Sequence, residues 1–201
     1  MITSLIFQLQ QTKSPLRKKL LSYFFTNQQA KLYLRDIALK LNIDPANLSR
    51  ELKRLTSEGV FIVEKQGNLK YFSLNPRHAL YQEFKSMIFK TIGVQGAIEN
   101  LLSKIPGIKR AFIYGSFAKN TERADSDIDL CLIIQKKEFK ENSFLEGLHQ
   151  LERELGREIN YTFFTKEEWQ SKQFSKDSFV IGILKNKRIE LIHANIVAPV
   201  V

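Results

Sequence analysis

The strongest constraint on the fold is a pair of apolar, β-prone runs in residues 108–134. The first run, IKRAFIY, ends at Gly115-Ser116, and the second, DIDLCLII, begins after ten intervening residues. Runs of β-branched and aromatic residues between turn residues predict strands. The segment SFAKN predicts a brief helix that ends at Asn120, because asparagine tolerates the left-handed conformation. We therefore expect a strand, a tight turn, a short helix and a second strand.

Two aspartates stand at the start of the second run. Side chains two apart on a strand point the same way, so Asp127 and Asp129 share a face, with Cα atoms roughly 6.6 Å apart. Adjacent carboxylates repel each other unless a cation lies between them, and Mg²⁺ prefers such oxygen ligands. The backbone at Gly115 and Ser116 opens a helix, where N–H groups favour phosphate oxygens. These residues suit metal-assisted phosphoryl or nucleotidyl transfer.

A Gly-Ser pair, ten residues and an Asp-x-Asp within an apolar strand resemble the nucleotidyltransferase superfamily related to DNA polymerase β, in particular its minimal, MNT-type branch. The resemblance covers roughly residues 104–193 and implies a short mixed sheet. It also implies that Gly115 and Ser116 hold the triphosphate of ATP or another nucleoside triphosphate. Asp127 and Asp129 would be the catalytic pair that binds magnesium.

The family usually has a third carboxylate on a later strand, here EINYTFF. The hydrophobic alternation puts Asn160 at that position. Asparagine can bind a metal through its carbonyl, but it has no charge and cannot act as a base. Glu158 could partly substitute, although it is also explained as a strand-edge carboxylate paired with Arg157 or a lysine. The resemblance extends to winged-helix proteins with an MNT-type domain, several of which have asparagine here.

The remaining candidates have simpler explanations. Thiolates prefer softer ions than Mg²⁺, so Cys131 is expected to be a small buried residue. Trp169 is expected to anchor a polar helix to the sheet, with stacking on a base as the alternative. The three histidines, which lack metal-ligand spacing, are expected at the surface or in packing; they are His78, His149 and His193.

The cellular setting is predicted from absences in the sequence. The only cysteine cannot form an internal disulfide, which fits a reducing cytoplasm. No run approaches the roughly eighteen apolar residues of a membrane helix, so no membrane partner is expected. The first ten residues, MITSLIFQLQ, carry no basic segment and predict no secretory signal.

The positive charge is concentrated in the first half of the chain. The net charge is +10, and residues 1–90 hold 15 basic against 6 acidic residues, a net charge of +9. Residues 91–201 hold 16 against 15, a net charge of +1. Such an asymmetry is expected where one half meets a polyanion.

The first half also has a recognisable order of elements. Ser14-Pro15 predicts a helix from about Pro15 to Asn27, and a second helix is expected over Arg35 to Leu41. Asp44-Pro45 opens a third helix, PANLSRELKRLTSEG, which Gly59 should end, with its inward face at Leu48, Leu52 and Leu55. The runs VFIVE and KYFSL around Gly67-Asn68 predict a hairpin.

This order resembles a winged helix-turn-helix of the ArsR and MarR kind over roughly residues 12–75. The resemblance implies a recognition helix at Pro45 to Ser57 in the major groove of double-stranded DNA and a wing at the hairpin. Arg50 and Arg54 are the leading base or phosphate contacts. The alternative is a protein-contact module with a solvated basic face. The predicted DNA-binding residues are Asn47, Ser49, Arg50, Lys53, Arg54, Lys65 and Lys70, with Asn68 also in the wing.

The two halves are joined by a helical pattern that is interrupted near Gly93 or Gly96. Such a helix could link the halves, pair two chains in a homodimer, or pack within one chain. We predict an α+β chain with an N-terminal winged helix-turn-helix and a C-terminal nucleotidyltransferase-type mixed α/β sheet domain. The predicted bounds are 1–77, a linker helix at 78–103, and 104–201.

Three functions are compatible with these features. The first, which we favour, is a DNA-binding transcriptional regulator that senses a nucleotide with magnesium. The second is an active nucleotidyltransferase that transfers a nucleoside monophosphate to a hydroxyl of a protein or small molecule. The third is an antitoxin-like role in which the domain modifies or masks a partner toxin.

Overall fold

The computed structural model describes residues 14–192. Within this range the chain divides into two compact units. The first unit comprises residues 14–96 with 154–156, and the second comprises residues 97–153 and 157–192. His193 and the N-terminal residues used to predict the absence of a secretory signal lie outside the described range.

The first unit begins with three helices, and the N-terminal caps of the first and third follow the sequence signals. The Ser14 hydroxyl accepts a hydrogen bond from the Arg17 amide, and the Asp44 carboxylate accepts one from the Asn47 amide. Gly59 has a φ of +77°, as expected of a residue that ends a helix in the left-handed region. The elements are α1 (Pro15–Thr26), β1 (Leu32–Tyr33), α2 (Leu34–Leu41) and α3 (Pro45–Ser57).

A hairpin of β2 (Phe61–Gln66) and β3 (Leu69–Leu74) follows α3. The antiparallel sheet has the strand order β1-β3-β2, and the pair Leu32 and Phe72 joins β1 to β3. The predicted inward face of α3 is confirmed, because Leu48, Leu52 and Leu55 are all fully buried in the core. The predicted elements of this half are therefore present, in the predicted order.

A buried arginine connects α1 to α3. Arg17 is only 2% exposed, and its guanidinium pairs with Glu51 on α3. Glu58 lies 3.6 Å from the same guanidinium. Breaking a buried ion pair leaves an uncompensated charge in the interior, so this contact fixes α3 against α1.

Two helices follow the hairpin, α4 (Tyr81–Thr91) and α5 (Val94–Leu102). The predicted interruption near Gly93 is confirmed, since Gly93 lies between them. A Cβ at Gly93 would lie 2.8 Å from the Ile88 carbonyl oxygen, so a side chain there would collide with the end of α4.

The second unit contains a four-stranded mixed sheet with the order β6-β5-β4-β7. Strand β5 is parallel to β6 and antiparallel to β4, which also pairs antiparallel with β7. One face packs under α8 and α9 through Phe112, Cys131 and Trp169. The elements are β4 (Ile108–Tyr114), α6 (Gly115–Lys119), β5 (Ile128–Ile134), α7 (Glu141–Leu155), β6 (Ile159–Thr165), α8 (Lys166–Phe174), α9 (Ser178–Lys185) and β7 (Ile189–Ile192).

The described chain is therefore α+β, as predicted. Every helix in residues 14–192 is too short or too polar to cross a bilayer. The predicted bounds at residues 77 and 103 and the winged helix-turn-helix assignment stay predictions.

Candidate functional site

The two aspartates lie where β5 begins, next to the end of β4. Asp129 pairs with Tyr114, the last residue of β4, and Asp127 immediately precedes β5. The residues between and after them, Ile128 and Leu130, are fully buried, whereas both aspartates are half-buried. The two carboxylates are therefore at the surface of the unit, on a strand whose apolar side chains hold it in the sheet.

Gly115 shapes the space around Asp129. It has a φ of +70°, and a Cβ there would lie 2.0 Å from Oδ2 of Asp129. Any other residue type would be strained by this backbone conformation, and its side chain would displace the carboxylate. The Asp129 carboxylate thus lies directly against the first residue of α6, and the predicted end of that helix at Asn120, with a φ of 56°, is confirmed.

Asn160 is adjacent to the aspartates, as the alternation of EINYTFF predicts. It pairs with Asp129 in the parallel register of β5 and β6. Its Nδ2 donates a hydrogen bond to Oδ2 of Asp127 at 3.1 Å. The position expected for a third carboxylate is therefore held by an amide, which stabilises the Asp127 carboxylate as a neutral donor.

Electrostatics at this cluster favour a cation. Burial raises the pKa of Asp129, and the charge of Asp127 raises it further. Burial also raises the pKa of Tyr114, as does the charge of Asp129, while a hydrogen bond with Thr162 acts in the opposite direction. A cation between the carboxylates would remove their mutual repulsion.

The oxygen ligands present fit Mg²⁺. This ion is commonly bound by one or two carboxylates together with substrate phosphates, and it retains several waters. Asp127 and Asp129 supply two carboxylates, and the missing side chain at Gly115 leaves room for the Asp129 carboxylate itself. Within residues 14–192, no group of three or more His, Cys, Asp or Glu side chains is placed to hold a metal ion.

Glu158 does not form the expected pair with Arg157. Its side chain is exposed, and it has no ion pair with any residue in the range 14–192. Arg157 is instead buried, and its Nη1 donates to the carbonyl oxygens of Ala124 at 2.5 Å and Ser126 at 3.0 Å. The arginine thereby holds the loop that leads to Asp127, which is why it is unavailable to its neighbour in sequence.

The structural explanations for Cys131, Trp169 and two histidines are confirmed. Cys131 is fully buried, and burial raises the pKa of its thiol to about 12. Trp169 is 4% exposed and packs edge-on against Phe112, so stacking of a base on its ring, the alternative, is wrong. His78 packs on a phenylalanine ring, and His149 is exposed beside a glutamate.

The first unit contains a basic groove of about 1160 Å³ between α3 and the hairpin. It contains Ser49, Lys53, Lys65 and Lys70, four of the seven predicted DNA-binding residues, together with Asn68. Sequence reasoning missed Tyr33 and Arg35. The sequence signal for Arg35 is a basic residue in the first turn of α2. The lining residues are Tyr33, Leu34, Arg35, Ser49, Lys53, Thr56, Ser57, Val63, Lys65, Asn68, Leu69, Lys70 and Phe72, which include four basic and no acidic side chains.

The other three predicted residues are exposed on α3 outside the groove lining. Arg50 donates a hydrogen bond to Oδ1 of Asn47 on the same helix. Nε of Arg54 donates to Oε1 of Glu58 at 3.0 Å, one turn further along. The structure thus separates the predicted contacts into residues that line the groove and residues of α3 that lie outside its lining.

Residues 97–193 match the family model described as "Polymerase beta, Nucleotidyltransferase". This match covers all of the β4 to β7 sheet, so the second unit is similar to the nucleotidyltransferase domains of that family. No curated protein matches the chain.

Three solved structures are similar to parts of the chain. One, described as a toxin-antitoxin with AMP-PNP, is 17% identical with a TM-score of 0.38, over 50% of this chain and 74% of the other. The adhesin competence repressor AdcR from Streptococcus pyogenes is 19% identical with a TM-score of 0.34, over 51% and 76%. A nucleotidyltransferase described as putative, from Sulfolobus solfataricus, is 20% identical with a TM-score of 0.27, over 38% and 68%.

Proposed function

We propose that this chain is a DNA-binding transcriptional regulator whose nucleotidyltransferase domain binds a nucleoside triphosphate with Mg²⁺. The observation that carries the regulatory part is the basic groove, which collects Arg35, Lys53, Lys65 and Lys70 without a carboxylate in its lining. Clustered positive charge on one surface provides the affinity of a protein for the phosphate backbone of duplex DNA.

In this proposal the first unit is a winged helix-turn-helix. The order α1, β1, α2, α3 and a β2–β3 hairpin supports it. α3 is the recognition helix, and the hairpin with Lys65, Asn68 and Lys70 is the wing. The groove residues bind phosphates, while Asn47, Arg50 and Arg54 on the exposed part of α3 read base edges.

The second unit binds the nucleotide. The Gly115 turn and Ser116 hold the triphosphate, because backbone N–H groups at the start of α6 can donate hydrogen bonds to phosphate oxygens. Asp127 and Asp129 hold magnesium, which when bound neutralises phosphate charge and polarises the phosphoryl group. Asn160 keeps the Asp127 carboxylate in place through the hydrogen bond from its Nδ2.

Asn160 also favours sensing over turnover. An amide cannot accept a proton from an attacking hydroxyl, and it adds no negative charge to a metal site. Binding of the triphosphate needs only the turn and the two acids. The nucleotide therefore acts as a ligand that reports its own concentration to the DNA-binding unit.

The second candidate function is active transfer of a nucleoside monophosphate to a hydroxyl of a protein or small molecule. It is favoured by the close approach of the Asp129 carboxylate to Gly115, which keeps this acid next to the turn that would hold the triphosphate. A protein acceptor would include a partner toxin, which gives the antitoxin-like role.

Calorimetric titration of the full chain with ATP in the presence of Mg²⁺ tests the nucleotide site. We expect saturable heat, abolished in an Asp127→Ala, Asp129→Ala double variant and in excess EDTA. The absence of heat with ATP, GTP, CTP and UTP would exclude both sensing and catalysis. Incubation with labelled ATP and cell lysate then distinguishes them, because sensing predicts no label transfer that depends on these two aspartates.

Selection of bound duplexes from a random library tests the regulatory part. We expect enrichment of a defined sequence by the full chain, with affinity that falls steeply as salt rises. A chain that enriches no sequence and binds duplex DNA without salt dependence would be a protein-contact module instead.

A further inference from the structure

We propose that Phe179, at the start of α9, is the surface on which the base of the bound nucleotide stacks. This inference rests on the nucleotide-binding function proposed above and adds the contact that recognises the nucleoside. The family match, the acid pair and the Gly115 turn account only for phosphate and metal.

Phe179 lies close to the acid pair. Tyr114 and Asp129 are paired residues on adjacent strands, so their side chains share one face of the sheet. The Phe179 ring meets the Tyr114 ring edge to face, with centroids 5.8 Å apart and an interplanar angle of 89°. One aromatic side chain therefore separates Phe179 from the carboxylate proposed to hold magnesium.

Phe179 is also more exposed than the aromatic residues around it. The same sheet face is covered by α8 and α9, and Tyr114 on it is partly buried. The other aromatic residues of this layer are buried, with Phe112 at 0%, Phe164 at 8% and Trp169 at 4% exposure. Phe179 is 40% exposed, although its ring also packs against the Phe164 ring, with centroids 6.3 Å apart. It therefore lies at the border of the apolar layer, anchored on one side and open on the other.

The chemistry of such a surface selects a flat, π-bearing group. A phosphate and metal site beside an exposed aromatic ring fits a nucleotide, because every base has a face that can stack. Stacking discriminates little between bases, so we expect all four nucleoside triphosphates to bind. The larger ring system of the purines should make ATP and GTP bind more tightly than CTP and UTP.

The test compares ATP with magnesium tripolyphosphate, which has the phosphates but no base, by calorimetry on the full chain. We expect Phe179→Ala to weaken ATP binding by about tenfold and to leave tripolyphosphate binding within about twofold. Phe179→Tyr keeps the ring and should bind ATP as the wild type does. Phe179→Leu keeps apolar bulk without a π-face, so it should lose ATP affinity as the alanine variant does.

Phe174→Ala is the matched control, since Phe174 is the last residue of α8 and is 93% exposed. It should bind both ligands as the wild type does. Unchanged ATP affinity in Phe179→Ala, or full rescue by leucine, would overturn the stacking role. If the wild type binds tripolyphosphate and ATP equally, this inference fails while the phosphate and metal site stands. If it binds neither, the proposed function fails as well.

Discussion

The carboxylate of Asp129 occupies the space in which a side chain at Gly115 would begin. The distance from a Cβ at Gly115 to Oδ2 of Asp129 would be 2.0 Å, and the glycine has a φ of +70°. These two residues are thus mutually dependent, because the carboxylate keeps its position only while residue 115 has no side chain. Their adjacency places the proposed metal ligand beside the proposed phosphate-binding backbone.

Gly115→Ala should therefore damage both stability and nucleotide binding. We expect the free energy of unfolding to fall by about 2–3 kcal/mol, from backbone strain together with displacement of Asp129. Denaturant unfolding and ATP calorimetry measure the two effects. Wild-type affinity for ATP in this variant would show that the turn does not hold the triphosphate.

Substitutions at two other glycines separate the cost of backbone strain from the cost of displacing the Asp129 carboxylate. Gly67→Ala has the strain without the overlap, since its φ is +59° and a Cβ there meets nothing within 4 Å. We expect it to cost about 1 kcal/mol. Gly182, inside α9, has open space and ordinary helical geometry, so Gly182→Ala should stabilise by about 0.5–1 kcal/mol.

Much of this architecture could be predicted from local signals. Ser14-Pro15 and Asp44-Pro45 fix the starts of two helices, because a side-chain cap and a proline each act within one turn. The alternation of EINYTFF placed Asn160 beside the acids for a similar reason. Side chains on a buried strand can take only two faces, so the register follows once one face is apolar.

The basic groove and Phe179 could not be predicted in this way. Arg35 joins the groove only because β3 folds back to pair with β1, which brings residues about 40 positions apart in the chain together. Phe179 lies in an apolar helix that buries Val180 and Ile183, and only the packed structure shows that its ring extends past the covered layer. Both features depend on contacts between distant segments, which local patterns do not encode.

Asn160→Asp tests the amide directly. Without metal, a third carboxylate would replace the hydrogen bond to Asp127 with repulsion, and we expect a loss of about 1–2 kcal/mol. Mg²⁺ should then stabilise the variant more than the wild type, because a third charged ligand strengthens binding to the folded state. Thermal unfolding over a range of Mg²⁺ concentrations measures the difference.

The control for added charge is Asn100→Asp, at an exposed position of α5. It should respond to Mg²⁺ as the wild type does. If Asn160→Asp gains no more stability from Mg²⁺ than this control, position 160 does not contribute to the metal site. Labelled ATP would show in the same variant whether the third acid restores transfer.

Glu190 predicts a pH dependence in the second unit. Its Oε1 accepts from Nη2 of Arg110 at 2.6 Å and from Nε of Arg188 at 2.9 Å. Burial alone would raise the pKa of Glu190, but these hydrogen bonds outweigh it and hold the pKa below its usual value. A lowered folded-state pKa stabilises the protein above the unfolded-state pKa, and that stability is lost as pH falls through the folded-state value.

Glu190→Gln should therefore lower the free energy of unfolding by about 1–3 kcal/mol at pH 7. The difference from the wild type should shrink below about pH 4.3, the usual pKa of glutamate, as the wild-type carboxylate takes up a proton. Glu138→Gln is the control, since its pair with Lys109 is about half exposed on both sides and should contribute within about 0.5 kcal/mol. A constant difference from pH 7 to pH 3 would contradict the role of the charge.

The two sets of predicted DNA contacts should respond differently to substitution. Lys53 and Lys70 line the groove, so a double alanine variant should weaken binding to every duplex and lower the salt slope by roughly 0.9 per lost phosphate contact. Arg50 and Arg54 lie outside the groove lining on the exposed part of α3. Their double alanine variant should lose preference for the selected sequence, by about 1–3 kcal/mol per base contact.

Binding of selected and random duplexes at several salt concentrations, followed by fluorescence anisotropy, separates these effects. Lys136→Ala with Lys137→Ala is the matched control, because both lysines are exposed on the second unit. Unchanged affinity in the arginine variant would contradict the assignment of α3 as the recognition helix. If instead the lysine variants of the two units weaken binding equally, the groove has no special role, because only the charge of the whole chain would then attract the duplex.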